Sequence, residues 1–343
     1  MRRLLNTLYV MTENAWLALD GENVVIQAEE RELGRFPLHS LEGIISFSYR
    51  GASPALMGAC AERGIALSFF RPGGRFLARV SGGVCGNVLL RKTQYFVSED
   101  PDASLGIGKS MIIGKLYNAR WVLERATRDH ALSVDSERLK AASAMMKTAI
   151  SRIEGAESAD SLRGIEGDAA AEYFSVFNEL ILNSDEAFRF RGRSRRPPLD
   201  RVNAMLSFAY ALLGNACAAA LESVGLDPYV GFVHTDRPGR ESLALDLMEE
   251  LRPVCADRVV LSCINNRVVT AKMFETTDSG AVLLNESGRR AFLKAWQERK
   301  KDTITHPFLR EKLPWGLVPF VQALLLARFL RGDLDAYPPF LWK

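Results

Sequence analysis

The stretch YFVSEDPDASLG, residues 95–106, is acidic and rich in turn formers, and the hydrophobic pattern differs on its two sides. Before it, TLYVMT, AWLALDGENVVIQAE with its Asp20-Gly21 turn signal, GIISFS, IALSFF and RFLARV read as strands. One helix interrupts them: SPALMGACAERG offers Ser53 as cap, Pro54 at the first helical position and Gly64 as a stop. After it a helical period takes over and predicts helices over 107–130, 134–154, 161–182, 200–224, 240–252, 286–300 and 316–331. The fold class expected is α+β in two domains: a small β-rich amino-terminal domain over 1–95, a linker over 96–106 and a larger all-α domain over 107–343.

A chain of 343 residues is long enough for two hydrophobic cores, and 48% apolar with 25% charged content is ordinary for a soluble globular protein. The amino terminus, MRRLLNTLYVMTENAW, meets Glu13 before an apolar run of useful length and makes a poor signal peptide. AMLSFAYALLGNACAAAL, residues 204–221, has the length of a membrane span, but Ser207, Gly214, Asn215 and its alanines fit a buried central helix better. Cysteines at 60, 85, 217, 255 and 263 form no CxxC pair and lie mostly in apolar runs, which points to reduced thiols in a cytoplasmic protein and away from structural zinc.

The net charge of +3 does not by itself announce a nucleic-acid binder, but its distribution is uneven. FRFRGRSRRPPLDR, residues 188–201, sets six arginines against Asp200 alone, a density that favours phosphate binding over an ordinary solvated loop. GIGKS at 106–110 does not complete a phosphate-binding loop, since Ala103 stands where its first glycine belongs, and reads as a helix start.

Two segments carry acids with room around them. SLRGIEGDAAAEYFSVFNEL, residues 161–180, places Glu166 on a helix among Gly164, Gly167 and three alanines. GFVHTDRPGRESLALDLMEELRP, residues 231–253, sets His234 at the end of an apolar run, then Asp246, Glu249 and Glu250 on an amphipathic helix whose packing face is Leu243, Leu247 and Leu251. Residues three and four apart share a helix face, so these carboxylates need a cation among them, a divalent metal or an arginine. Taken alone, Glu166 also reads as a salt-bridge partner and His234 as a hydrogen-bonded histidine near a helix cap. An imidazole with two acids would make an N/O set suited to Mn²⁺ or Mg²⁺. His39, His130 and His306 lack such acidic neighbours and read as structural.

LRGIEGDAAAEYF, RRPPLDRVNAMLSFAYALL and GFVHTDRPGRESLALDLMEELRP, in that order, resemble the integrase family of CRISPR spacer acquisition, the "Cas-one" proteins, of the type I-C kind. The resemblance spans nearly the whole chain. It implies a metal-dependent DNA endonuclease and integrase, in which a 3′ hydroxyl of a short duplex attacks a phosphodiester of a repeat array. It implies Mn²⁺ or Mg²⁺ held by Glu166, His234 and Glu249, with Asp246 supporting catalysis as a neighbour toward the DNA. Arg191, Arg193, Arg195, Arg196, Arg201, Arg237 and Arg252 would hold the backbone of double-stranded or branched DNA. Arg252 has an equally good alternative as an ion-pair partner of Glu249 or Glu250. Further implications are a homodimer joined through the amino-terminal domain, a small "Cas-two" partner dimer and no membrane. Two other readings compete, a non-catalytic helical DNA-binding scaffold and a metallophosphohydrolase of small phosphoesters.

Overall fold

The computed structural model describes residues 6–83, 88–194 and 196–343. The chain opens with β1 (Asn6–Val10), β2 (Trp16–Asp20), β3 (Asn23–Ala28), β4 (Arg31–Pro37) and β5 (Leu41–Ser46), then α1 (Pro54–Glu62), β6 (Ala66–Phe70) and β7 (Phe76–Arg79). One sheet has the order β1-β5-β6-β7, parallel except for β7 at its edge, and β2, β3 and β4 form an antiparallel meander. The expected Asp20-Gly21 turn joins β2 to β3, with Gly21 at φ +57° where a side chain is disfavoured. The Ser53 hydroxyl accepts the Leu56 N–H at 3.2 Å and starts α1, the crossover between parallel β5 and β6.

The segment read as a linker is helical, and that expectation is corrected. α2 (Val88–Glu99) and α3 (Pro101–Asp129) meet at Asp100, whose carboxylate accepts the N–H groups of Asp102 and Ala103 at 3.0 and 3.1 Å. Asp-Pro imitates a turn in the sequence because cap and first-turn residues are turn formers too. GIGKS lies within α3.

α4 (Ser136–Glu154), α5 (Ala159–Ser175), α6 (Arg201–Ser223), α7 (Ser242–Leu251), α9 (Glu286–Lys301) and α10 (Val318–Leu330) fall close to the expected ranges. α8 (Arg258–Asn265) was not expected; it continues from α7 through a π-helical stretch, Arg252–Asp257. Pro253 has no N–H for the carbonyl of residue 249, so the α-helical ladder breaks there and the turn widens. The expectation of an all-α part after residue 107 is also corrected, because β8 (Phe274–Thr276) pairs with β9 (Val282–Leu284) and β10 (Thr303–Thr305) with β11 (Lys312–Pro314). Strands of three residues are too short to write an alternating pattern.

One core cluster lies wholly within residues 10–67, and a second unites the helices with Ile45 and Phe70 of the sheet and with Phe47, just after β5. Phe47 stacks on Phe208 of α6 at 6.0 Å, and a side chain at Gly74 would overlap that same ring. Arg79, at the end of β7, pairs with Glu222 at 2.7 Å and Glu241 at 2.9 Å, and Lys300 pairs with Glu42. α6 is long and apolar enough to cross a membrane, yet 67% of its most apolar window is buried inside the fold, as a central core helix requires.

Cys85 lies outside the described residues, and Cys60, Cys217, Cys255 and Cys263 are free thiols. Burial pushes Cys60 up to about 11 and Cys255 and Cys263 up to about 12, which leaves them weak nucleophiles. His306 is fully buried, with Nε2 3.0 Å from the Gln322 amide oxygen and Nδ1 accepting the Leu309 N–H, so its structural reading holds.

Candidate active site

Three helices and one loop bring the acidic residues together. α7 is amphipathic as read, but its buried side includes all three carboxylates, Asp246, Glu249 and Glu250. Each therefore needs its own partners, since an unpaired buried charge is costly.

Asp246 is fully buried and spends both oxygens on residues 232–234. One accepts the N–H groups of Phe232 and Val233 at 2.6 and 2.9 Å; the other accepts the His234 N–H at 2.9 Å and lies 2.6 Å from His234 Nδ1. Asp246, implied as a neighbour toward the DNA, is buried here with both oxygens engaged by residues 232–234. With a carboxylate as partner, Nδ1 carries the proton, and the ring turns Nε2 toward Glu249, 3.8 Å from Oε1. Gly231 permits this wrap: a Cβ there would stand 2.7 Å from an Asp246 oxygen.

Glu249 is the centre of the cluster. Its Oε1 lies 3.1 Å from Arg252 Nη1, and its Oε2 lies 2.6 Å from Lys115 Nζ without a well-directed hydrogen bond. Burial raises the Glu249 carboxyl, but Arg252, Lys115 and His234 outweigh it and bring it down to about 2. It is ionised at any working pH. Arg252 thus forms the ion pair with Glu249 that its spacing allowed. Its guanidinium also lies over the Tyr210 ring at 5.0 Å, and Tyr210 donates to Asp257 at 2.7 Å. Burial pushes Asp257 up to about 6.

Glu166 reaches the same point from α5, its side chain 25% exposed, and pairs with Lys115. A Cβ at Gly164 or Gly167 would meet nothing within 4 Å, so the flanks of α5 around Glu166 are open. Glu166 and Glu249 thus converge on one cation, and His234 faces the same acid. Among the described residues no three His, Cys, Asp or Glu side chains close around one point; the point between the two acids is taken by the Lys115 ammonium. The donors still suit a hard divalent ion: two carboxylates held beside a positive group, one with an oxygen lacking a hydrogen bond, and an imidazole oriented from behind.

Lys115 is the residue that sequence reasoning missed. It lies four positions after Met111 and four before Ala119, both buried, and a lysine within a buried helical stripe is itself a signal for an acid across the interface.

The arginines divide. Arg191, Arg196 and Arg237 are exposed, and Arg195 lies outside the described residues. Arg193 donates to Asn203 Oδ1 at 2.6 Å and lies over Tyr210 at 5.3 Å, on the ring that Arg252 also touches. Arg201 donates to the Ala187 carbonyl at 3.3 Å. The basic loop is therefore anchored to the acidic cluster through Tyr210, and Asn203 pins its backbone at Gly192 and Ser194.

The family described as CRISPR associated protein Cas1 matches residues 8–298. This chain belongs to the Cas1 family. Over the full length of both chains it is 54% identical to "CRISPR-associated endonuclease Cas1 2" of Rhodospirillum rubrum and 48% identical to "CRISPR-associated endonuclease Cas1 1" of Chlorobaculum tepidum. In fold it is similar to a solved structure entitled "Casposase bound to integration product", with TM-score 0.85 at 23% identity, over 99% of this chain and 95% of that one. Cas1 membership makes the Lys115, Glu166, His234, Asp246 and Glu249 cluster the foremost candidate for chemistry in the chain.

Proposed function

We propose that this Cas1 protein is a metal-dependent DNA endonuclease and integrase of CRISPR adaptation, inserting short duplex DNA into a repeat array by 3′-hydroxyl attack on a phosphodiester. The observation that carries the reading is the convergence of Glu166 and Glu249 on one cationic position, with His234 Nε2 turned toward the other oxygen of Glu249 by a carboxylate that orients its ring. Glu166, Glu249 and His234 Nε2 would hold Mn²⁺ or Mg²⁺, which when bound supplies Lewis acidity and charge neutralisation at the scissile phosphate. Asp246 sets the ring, and Arg252 keeps Glu249 ionised and in place. A non-catalytic scaffold has no use for a buried carboxylate dedicated to aiming an imidazole. In purified protein with branched or repeat-bearing duplex, strand transfer and nicking are expected with Mn²⁺ and are expected to stop with excess chelator, while duplex binding persists. Activity indifferent to the chelator would reject the metal reading.

DNA backbone contacts fall to the exposed Arg191, Arg196 and Arg237, with Arg193, Arg201 and Arg252 shaping the bed on which the strand lies. Each phosphate contact adds about −0.9 to the slope of log affinity against log salt. Replacing Arg191, Arg196 and Arg237 together by glutamine should flatten that slope by roughly two to three. Replacing Arg193 should instead loosen the loop and lower thermal stability, because its partners are internal. Fluorescence anisotropy titrations at several salt concentrations separate the two classes, and an unchanged slope in the triple variant sinks the assignment.

The same reading takes the β-rich amino-terminal part, residues 1–95, as the dimerisation domain, a small Cas2 dimer as partner, the cytoplasm as location and type I-C as subtype.

A further inference from the structure

We propose that Lys115 is the resident cation of the catalytic centre: its ammonium takes the place of the divalent ion between Glu166 and Glu249, holds the acids together before the ion arrives, and must be displaced for the ion to bind. This rests on the metal-site reading above.

The geometry is specific. Lys115 lies on α3, between buried Gly114 and buried Leu116, with its side chain only 12% exposed. Its Nζ contacts Glu166 Oε1 and lies 2.6 Å from Glu249 Oε2, so one ammonium bridges acids from two different helices. Without it, Glu249, 3% exposed, would face Glu166 with Arg252 as its remaining full counter-charge. Two like charges so placed disfavour each other, and α5 and α7, which both pack on α3, would be pushed apart at that point.

Charge balance gives the consequence. Glu166 and Glu249 carry two negative charges that Lys115 and Arg252 match, and the buried Asp246 carboxylate adds a third, so the cluster is one charge negative as it stands. A divalent ion added between the acids leaves one positive charge in excess unless Lys115 leaves or a phosphate arrives. Lysine is the group that can go: four rotatable bonds let its ammonium swing outward, whereas Arg252 is held between Glu249 and the Tyr210 ring. The Glu166 side chain, 25% exposed, marks the solvent side of the cluster, where a DNA phosphate would receive the ammonium. Lys115 is thus a positioning residue that weakens the hold on the ion in free protein and relaxes that opposition once DNA is present.

The test is Mn²⁺ binding by titration calorimetry to the DNA-free full chain, with Glu166→Ala beside it. Lys115→Met should bind Mn²⁺ at least about tenfold tighter than the unaltered protein, and Glu166→Ala at least about tenfold weaker. A merely structural lysine would give a variant that binds less tightly. Melting supplies a second readout: saturating Mn²⁺ should raise the melting temperature of Lys115→Met more than that of the parent, by linkage. Should Lys115→Met fail to fold, Lys115→Gln, which keeps a polar head without the charge on a stem one atom shorter, carries the same comparison. Equal or weaker Mn²⁺ affinity in the lysine variant, with Glu166→Ala still impaired, overturns the role of Lys115 and leaves the metal site standing. Affinity unaffected by Glu166→Ala overturns the metal site itself, and this inference with it.

Discussion

Glu166→Ala should abolish strand transfer and nicking while leaving duplex binding unchanged or slightly tighter. The loss expected is on the order of a thousandfold or more, because removing a direct metal ligand forfeits several kcal/mol of transition-state stabilisation and each 1.36 kcal/mol is a factor of ten. The fold should tolerate the change. Glu166 is a quarter exposed, so truncation leaves no closed cavity, and Lys115 keeps Glu249 as partner. Its pair with Lys115 is partly solvated, which limits the stability at stake to about 1 kcal/mol. Measuring Mn²⁺-dependent strand transfer, duplex affinity and melting temperature on one preparation separates the readings. Undiminished Mn²⁺-dependent activity in the pure variant would leave the acidic cluster a set of salt bridges and the chain a scaffold.

The parts of this site that could be read from the sequence were those whose residue types are rare or crowded. One histidine at the end of an apolar run, and three acids within five positions of an amphipathic helix, already demanded a cation. The seven long helices between residues 101 and 330 were legible because a period of 3.6 accumulates over many residues. What stayed hidden was short or depended on contacts distant in sequence. The hairpins at Phe274–Leu284 and Thr303–Pro314 have strands too brief for a period, and the Asp100–Pro101 cap wears the composition of a linker. Lys115 was overlooked because its partners lie 51 and 134 positions away, at Glu166 and Glu249. The division of labour between Asp246 and Glu249 was likewise beyond spacing arguments. Both occupy one face of α7, and only the backbone N–H groups of residues 232–234 decide which acid is already spent.

Glu250→Ala should cost roughly 3 kcal/mol and release the carboxy-terminal segment, although the neighbouring Glu249 stays in place. Glu250 turns away from the catalytic centre and accepts from Tyr337 Oη, from Gln322 Nε2 at 3.1 Å and from the Phe340 N–H at 2.7 Å. Asn118 of α3 completes the latch by donating to the carbonyls of Glu250 and Phe340 and accepting the Trp342 N–H at 2.9 Å. Truncation leaves three buried donors in search of acceptors, at about 1–3 kcal/mol each, partly offset by removing a buried acid. A fall in melting temperature of about 6 °C and faster amide exchange at Phe340 and Trp342 are the expected readouts. The pH dependence gives the sharper check. Burial raises the Glu250 carboxyl from 4.5 to about 7 against its three hydrogen bonds. Between those values the folded state holds the proton that the unfolded state has lost, so this contribution is complete below about 4.5 and declines as pH rises through about 7. The stability gap between the parent and Glu250→Ala should therefore narrow from pH 5.5 to 8.5, by about 2 kcal/mol within the 3 kcal/mol that such a shift can supply. A gap that widens with pH would mean that the latch is held by the ionised carboxylate. The tail would then brace α7 through charge, and removing Glu250 would disturb Glu249 and the metal position directly.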